Sequence, residues 1–551
     1  MSNQRPLAFP ADDDRLTCFP YAVGHGEEGV CLLVQMGPYR VLLDCGLADI
    51  SPLRTAAKPP VDLVFCSHAH ADHARGLLAL HQAFPHLPIY GSEVTTQLLP
   101  LNWSQLPAED IPQFCHALPW RTPIEFFEGL SAELFPAGHL PGAAVILLTY
   151  TTANRTYRLL YTGDFFRSNL RLVEGLSIES LRGTQIDVLI VEGSYGTARH
   201  PHRRQQEKQL MERIELALTY NQSVLLPVPT LGLGQEILML LRSHHHFTGR
   251  DLDIWVDGSV AAGCDAYLEV LPYLPASVQN FARHQPLFWD ERVRPRVRRL
   301  EERQRSTIGQ SPCIVLCDEI VNLREYPQLE PNSTLVMLPE RPGYSLKTKR
   351  SIATSFETYL LAEHGDCLGT TQLIHNLRPQ HVVFFHGSQT YLADLTSLEE
   401  LQNRYHLHCP AAGFFVELTF GEKFMQPAPP LETNYEGELT ESGTVMNITL
   451  SEAIASDPRW SNFADTGLVE ARWQGEELVL RGLSQREILS QSIAKLPLNI
   501  ECCGNCLYQR GQRCWNRASP LYGFKVTPEG YCPVFEPVEP QPELPEQMDK
   551  P

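Results

Sequence analysis

Four side chains able to ligate a metal fall within six residues of this chain: His68, His70, Asp72 and His73, in Ser67-His68-Ala69-His70-Ala71-Asp72-His73. Imidazole nitrogens and a carboxylate at this spacing suit a divalent transition metal. The preceding residues, Val61-Asp62-Leu63-Val64-Phe65-Cys66, are apolar and β-branched and read as a buried strand. A loop leaving a strand gives a metal site the rigid base it needs. The bland alternative, a solvated turn in a chain with 20 histidines, leaves both spacing and context unexplained.

Further candidates recur at the ends of apolar runs. Asp44 follows Tyr39-Arg40-Val41-Leu42-Leu43 and suits a carboxylate that orients a ligand imidazole. His139 lies in Ala137-Gly138-His139-Leu140-Pro141-Gly142, and Asp164 ends the strand pair Val145–Tyr150 and Tyr157–Tyr161. Glu192 follows Val188-Leu189-Ile190-Val191, His364 stands in Glu363-His364-Gly365-Asp366, and His386 follows His381-Val382-Val383-Phe384-Phe385. Each is weak alone. Together they exceed what one tetrahedral ion can use, so two ions are expected, about 3.5–4 Å apart. Such a pair lowers the pKa of bound water towards about 7 and stabilises charge on the attacked group, which is hydrolysis by a metal-bound hydroxide. Zinc fits the donors best, with manganese or iron as the other candidates. No P-loop, dinucleotide fingerprint or Gly-x-Ser-x-Gly elbow competes, and nothing near Cys45 activates it as a nucleophile.

At 551 residues the chain is too long for one core, so several domains are expected. Val30–Val34 and Tyr39–Leu43 form a hairpin signal around Gly37-Pro38. From about 200 to 350 the pattern alternates helix and strand: a helix over Gln205–Tyr220, a strand at Val224–Leu226, a helix over Gln235–Arg242 and a strand at Ile254–Val256. This predicts an α/β unit on a parallel sheet. The basic tract Arg292–Arg305 reads as a solvated helix face, with a substrate-facing role as the alternative. The net charge of −19 argues against a broad, sequence-independent grip on nucleic acid but leaves room for a local basic channel. No apolar run spans a membrane, the first residues lack a signal-peptide core, and ten cysteines lie singly in apolar segments, so a cytoplasmic setting is expected. Five more cysteines cluster near the end. Of these, Cys503, Cys506, Cys514 and Cys532 suit a further structural zinc ion or an iron–sulfur cluster, with Cys502 left over.

The set His68-x-His70-x-Asp72-His73 with Asp44, His139 and Asp164 resembles the ligand signature of the metallo-β-lactamase fold. Glu192, His364 and His386 are similar to the three additional motifs of the β-CASP nucleases, a group that includes RNase J-type enzymes and the polyadenylation endonuclease. Pro229-Thr230-Leu231-Gly232-Leu233-Gly234-Gln235-Glu236 and Trp255-Val256-Asp257-Gly258 resemble landmarks of the β-CASP insertion. The resemblance covers roughly residues 18–420. It implies an α/β chain: an αββα sandwich at 1–195 and 356–425, interrupted by an inserted β-CASP domain at 196–355. A linker at 426–442, a small mixed region at 443–500, a Cys-rich segment at 501–535 and an acidic, Pro-rich tail at 536–551 complete the expected organisation.

The resemblance also implies roles. His68, His70 and His139 hold one zinc ion, Asp72, His73 and His386 the other, and Asp164 bridges them. Asp44, Asp72, Glu192 and His364 carry the reaction, with His364 protonating the leaving oxygen, Glu192 orienting it and Asp44 supporting the ligands. A histidine at 386 resembles the RNA-acting members, so RNA is the expected substrate, within a homodimer or an RNA-processing complex. DNA or another phosphoester, and a non-catalytic scaffold, are the alternatives. Three departures fall on the expected substrate cleft: Gly232-Leu233 where the family has Gly-Arg, Cys317-Asp318-Glu319-Ile320 where many members have a small Gly-containing loop, and His386-Gly387-Ser388 where the family has His-Gly-Glu.

Overall fold

Alternate side chains of each strand face opposite sides of its sheet, and in this chain both sides are apolar. In a computed structural model, Leu32, Val34, Val41, Leu43, Leu63 and Phe65 from one sheet meet Leu134, Ile146, Leu148, Leu159, Ile190, Val383 and Phe385 from another in a shared buried layer. Their neighbours Leu33, Leu42, Val64, Leu160, Leu189 and Phe384 face outward, in the same core as helix residues such as Leu77, Leu80, Leu373 and Leu392. The result is an αββα sandwich. The structure describes residues 16–420 apart from 27, 55–57, 320–322, 331 and 341–355, together with 438–442, 445–449, 469–474, 477–482, 506–510 and 513–517.

The first sheet runs, in spatial order, Val416–Leu418, Leu16–Val23, Val30–Met36, Tyr39–Leu43, Leu63–Phe65, Ile89–Ser92 and Cys115–Leu118. The second runs His406–His408, His381–Phe385, Val188–Glu192, Thr156–Tyr161, Ala144–Thr151, Leu130–Pro136 and Ile124–Phe127. Tyr39–Leu43 and Leu63–Phe65 are parallel, as are Thr156–Tyr161, Val188–Glu192 and His381–Phe385. Their C-terminal ends therefore share an edge, where open α/β sheets bind ligands.

A third sheet holds six strands, Arg296–Arg299, Asp253–Val256, Ile314–Asp318, Ser223–Val228, Thr334–Pro339 and Phe356–Tyr359, paired in parallel throughout. The helices Arg203–Thr219, Leu233–Ser243 and Gly258–Glu269 share a core with one of its faces through Leu210, Ile214, Ile237, Leu241, Val260 and Cys264. Its last strand, Phe356–Tyr359, directly follows residue 355.

The basic tract is not a helix face. Arg296–Arg299 is an edge strand with Val297 buried between arginines, followed by a short 3-10 turn at Glu302–Gln304. Arg296 pairs with Asp251 and Asp253, Arg299 with Asp265, and Arg305 with Asp257. The carboxylates facing these arginines draw them into a sheet edge, where the tract's charge alone suggested a helix.

Glu438–Ser442 pairs with Val445–Thr449, so a strand occupies the end of the expected linker. Residues from Ile454 onward form a separate unit, in which Val469–Gln474 pairs with Glu477–Gly482, and Gln509–Arg510 with Arg513–Cys514. No helix among the described residues is long and apolar enough to cross a membrane.

Candidate metal centre

The loops at the shared edge carry the predicted residues. Asp44 directly follows its strand, with φ of +59°, a conformation that Asp tolerates better than most residues. Its backbone N–H donates to Phe65 O at 2.8 Å. Its carboxylate is fully buried and takes four donors: Ser67 N–H on one oxygen (2.6 Å), and Ser67 Oγ (2.7 Å), Tyr161 Oη (2.6 Å) and His73 Nδ1 (2.7 Å) on the other. Because His73 Nδ1–H is committed to Asp44, its Nε2 points inward. Ser67 gives its only proton to Asp44, so the contact at 3.0 Å between Ser67 Oγ and His68 Nδ1 is donated by the imidazole, and His68 Nε2 also points inward.

The same logic fixes the next two rings. His139 Nδ1 donates to Glu363 O (2.8 Å) and His70 Nε2 to Leu231 O (3.3 Å). The remaining nitrogens, His139 Nε2 and His70 Nδ1, face each other at 3.0 Å. In neutral rings both are then acceptors, an arrangement that a shared cation relieves.

Asp164 lies between the two groups. One of its oxygens is 3.7 Å from His68 Nε2 and 3.9 Å from His139 Nε2; the other is 3.3 Å from both His73 Nε2 and His386 Nδ1. His68 Nε2, His73 Nε2 and Asp164 Oδ1 are buried and make no hydrogen bond. Buried polar atoms are ordinarily satisfied, so these three orphans fit a missing cation. Gly163, at φ of +54°, lets this loop approach its neighbour: a Cβ there would lie 2.6 Å from Ser67 Cβ.

His386 closes the site from the C-terminal return of the chain. It sits at φ of +51°, uncommon for a residue with a side chain, and its N–H is held by Val23 O at 2.7 Å. Its Nε2 meets Asp72 Oδ2 at 3.3 Å and its Nδ1 meets Ser194 Oγ at 2.9 Å. Beside it, His364 Nδ1 meets Glu192 Oε2 at 2.9 Å and stands 3.7 Å from Asp164 Oδ2. Fully buried Glu192 also accepts from Phe165 N–H (2.6 Å) and from the Ser194 hydroxyl.

The electrostatics without metal follow from this crowding. Burial pulls the His73 imidazole down, but Asp164 and Asp44 carry it up to about 10. Burial likewise opposes protonation of His386 and His364, yet Asp164 raises the first, and Glu192 and Asp164 raise the second. Burial and neighbouring imidazoles hold His68 and His139 well below the usual histidine range. Burial opposes ionisation of Asp164 and Asp72, but their histidine partners keep both well below the usual carboxylate range. The carboxylates are thus matched by protons that a metal ion would replace.

All seven predicted ligands, with His364, Glu192 and Asp44, come together. They form overlapping groups of donor atoms: His68, His70, His139 and Asp164; Asp164, Glu192, His364 and His386; Asp72, His73 and His386. Sequence reasoning missed Ser67, Tyr161 and Ser194. Ser67 and Tyr161 adjoin predicted motifs and Ser194 follows Glu192-Gly193, the only signal they gave. Of the departures, Leu233 is buried at the start of its helix, Asp318 at the end of its strand accepts from Ser259 N–H and Oγ in the first turn of the helix Gly258–Glu269, and Ser388 caps the helix Gln389–Thr396. In the predicted thiolate site, Cys506 and Cys514 are buried; Cys502, Cys503 and Cys532 lie outside the described residues, as does the tail 536–551.

Residues 39–228 match a family model described as a beta-lactamase superfamily domain. An uncharacterized protein of Synechocystis sp. is 51% identical over 546 residues, covering 95% of this chain and 97% of that one. A protein of Methanocaldococcus jannaschii named a probable RNase is 32% identical over 247 residues, 41% of this chain and 56% of that one. A second protein of that organism, named RNase J-like, is 27% identical over 304 residues, 52% of this chain and 67% of that one. With the αββα sandwich and the histidine–carboxylate edge, these matches show that the chain contains a metallo-β-lactamase domain of the metal-dependent hydrolase kind, and that it is similar to relatives named as β-CASP-type RNases.

Proposed function

We propose that this chain is a ribonuclease that hydrolyses RNA phosphodiester bonds at a two-zinc centre. The observation that carries the reading is Asp164, whose two oxygens each face a different set of inward-pointing imidazoles. His68, His70 and His139 would hold one ion and Asp72, His73 and His386 the other, with Asp164 placed between the two sets. When bound, the pair activates water at neutral pH and stabilises charge on the phosphate.

The chain's own residues do the rest. Asp44 keeps His73 in one tautomer and, through Ser67, orients His68. Glu192 holds His364 and favours its protonated form, so that imidazole delivers a proton to the leaving oxygen. The inserted domain, placed here at 196–355, reaches the centre at Leu231, whose carbonyl receives His70 Nε2–H; the RNA strand lies between it and the sandwich. Leu233 offers no charge there, so the grip on phosphate is narrower than a basic cleft gives. Free thiols at buried positions such as Cys31, Cys66 and Cys317 suit a cytoplasmic setting.

The test is the full-length protein, loaded with zinc and incubated with labelled single-stranded RNA, beside an Asp72→Ala/His73→Ala variant. Cleavage by the parent and none by the variant is expected. Equal cleavage by both sinks the assignment, and cleavage of a model phosphodiester with none of RNA moves the substrate to DNA or another phosphoester.

A further inference from the structure

Where the helix Leu233–Ser243 ends, the chain carries three consecutive histidines, His244, His245 and His246, that take no part in the centre described above. One ring nitrogen from each lies within 4.8 Å of the other two. The ring centroids are 4.3 Å apart for His244 and His245, 4.2 Å for His245 and His246, and 4.8 Å for His244 and His246. Three histidines in sequence ordinarily splay into solvent. Here the chain is pinned by Phe247, which is fully buried, and by its N–H donating to His244 O at 3.0 Å.

Two of the rings are already oriented. His246 N–H approaches His244 Nδ1 at 3.4 Å. His246 Nδ1 meets Glu215 Oε2 at 2.6 Å, and Glu215 belongs to the neighbouring helix Arg203–Thr219. A carboxylate behind an imidazole, fixing its tautomer and raising its basicity, is the usual support for a metal-bound histidine. The position adds to this: the C-terminal end of a helix carries partial negative charge that favours a cation. The nearby Arg171 is matched by Glu207 at 2.7 Å.

We propose that His244, His245 and His246 bind a further divalent transition-metal ion of the zinc class, with Glu215 holding the His246 ring from behind. A tetrahedral zinc ion sets its nitrogen ligands about 3.3 Å apart, so small ring rotations complete the site. The ion fastens the end of Leu233–Ser243 to Arg203–Thr219. The opposite end of Leu233–Ser243 begins two residues after Leu231, whose carbonyl receives His70. Eleven residues at about 1.5 Å each give this helix roughly 16 Å of rise between the histidine triad and the end that adjoins Leu231. The ion thus steadies the element that reaches over the hydrolytic centre without entering it.

The experiment is equilibrium dialysis of the full-length protein against micromolar zinc, with bound zinc counted by mass spectrometry. The parent stands beside a His245→Ala/His246→Ala variant and two gentler ones, His245→Asn at an exposed position and Glu215→Gln. The double variant is expected to bind one zinc ion fewer per chain with phosphodiesterase activity retained. Glu215→Gln is expected to weaken that ion's binding about 10- to 100-fold. Equal zinc content and affinity in all four proteins overturn the site. Loss of more than one ion, or of activity, in the two gentler variants overturns its independence from the hydrolytic centre.

Discussion

Replacing Asp44 by Asn tests whether this buried carboxylate organises the metal centre. The left-handed backbone is not at issue, because Asn tolerates it as well as Asp does. The four donors are the point: three converge on one oxygen and Ser67 N–H on the other. An Asn can offer its oxygen to only one side and must turn its NH2 on donors at the other. Each hydrogen bond to a charged group is worth about 1.5–3 kcal/mol, and each stranded buried donor costs about 1–3 kcal/mol. A loss of about 3–5 kcal/mol of stability in the metal-free protein follows from the weakened charge and one stranded donor. His73 and His68 then lose the partner that fixes their tautomers, which lowers metal affinity about 10- to 100-fold. Urea unfolding of the metal-free protein reads the first effect and competition against a zinc chelator the second. Tyr161→Phe is the graded control: it removes one donor, leaves the charge, and should cost about 1.5–3 kcal/mol, less than Asp44→Asn. An Asp44→Asn protein with the parent's urea midpoint and zinc affinity would refute the reasoning.

Other outcomes follow from the same geometry. Glu192→Gln keeps an acceptor for Phe165 N–H but removes the charge that favours protonated His364. An imidazole acting as an acid supports activity below its pKa and loses it as pH rises through that value, so the alkaline limb of the kcat–pH profile should move to lower pH; an unmoved limb argues against His364 as the acid. Metal loading at pH 7 should release protons, because His73, carried up to about 10, and His386, raised by Asp164, hold protons that metal displaces. Calorimetry in buffers of different ionisation enthalpy counts them, and a count of zero contradicts the assigned ligands. Gly46→Ala would put a Cβ 1.6 Å from Asp72 O; the backbone must shift, at a cost of about 1–3 kcal/mol, and Asp72 moves with it. Zinc affinity and the urea midpoint should both fall.

The candidate ligands were readable in the sequence because metal chemistry uses few residue types and places them where strands end. The pairing of His386 with Asp72, 314 positions away, comes through the family resemblance and not through spacing. Ser67, Tyr161 and Ser194 were not readable, since hydroxyls are common and these act through partners that the fold brings to them. The arginine tract failed for a related reason. Its local spacing admits a helix, but Arg296 and Arg299 are fixed by Asp251, Asp253 and Asp265, and Val297 between them is buried in the sheet. The alternation Arg296-Val297-Arg298 was the available sign of a strand.

The origin of the candidate ligands predicts a structural role for the centre beside the proposed catalysis. Asp44, His68, His70, Asp72 and His73 leave strands of the first sheet, while His139, Asp164 and His386 leave strands of the second. The layer between the sheets is apolar, and apolar packing has no direction; it resists separation of the sheets more strongly than their sliding. Hydrogen bonds across the edge, such as Tyr161 Oη to Asp44 and Ala144 N–H to Ser67 O, supply direction but hold single points. Ions bound at Asp164 would tie both sheets through seven side chains at fixed angles. Stripping the metal should then lower stability by more than the loss of the ions from either sheet alone, and the inward-pointing imidazoles, left facing one another, are where the sandwich should loosen first. Hydrogen exchange at the N–H groups of Asp44, Ser67 and His386 measures that directly: faster exchange there than in the strands behind, on metal removal only, is the expected pattern, and uniform protection with and without metal would deny the centre this role.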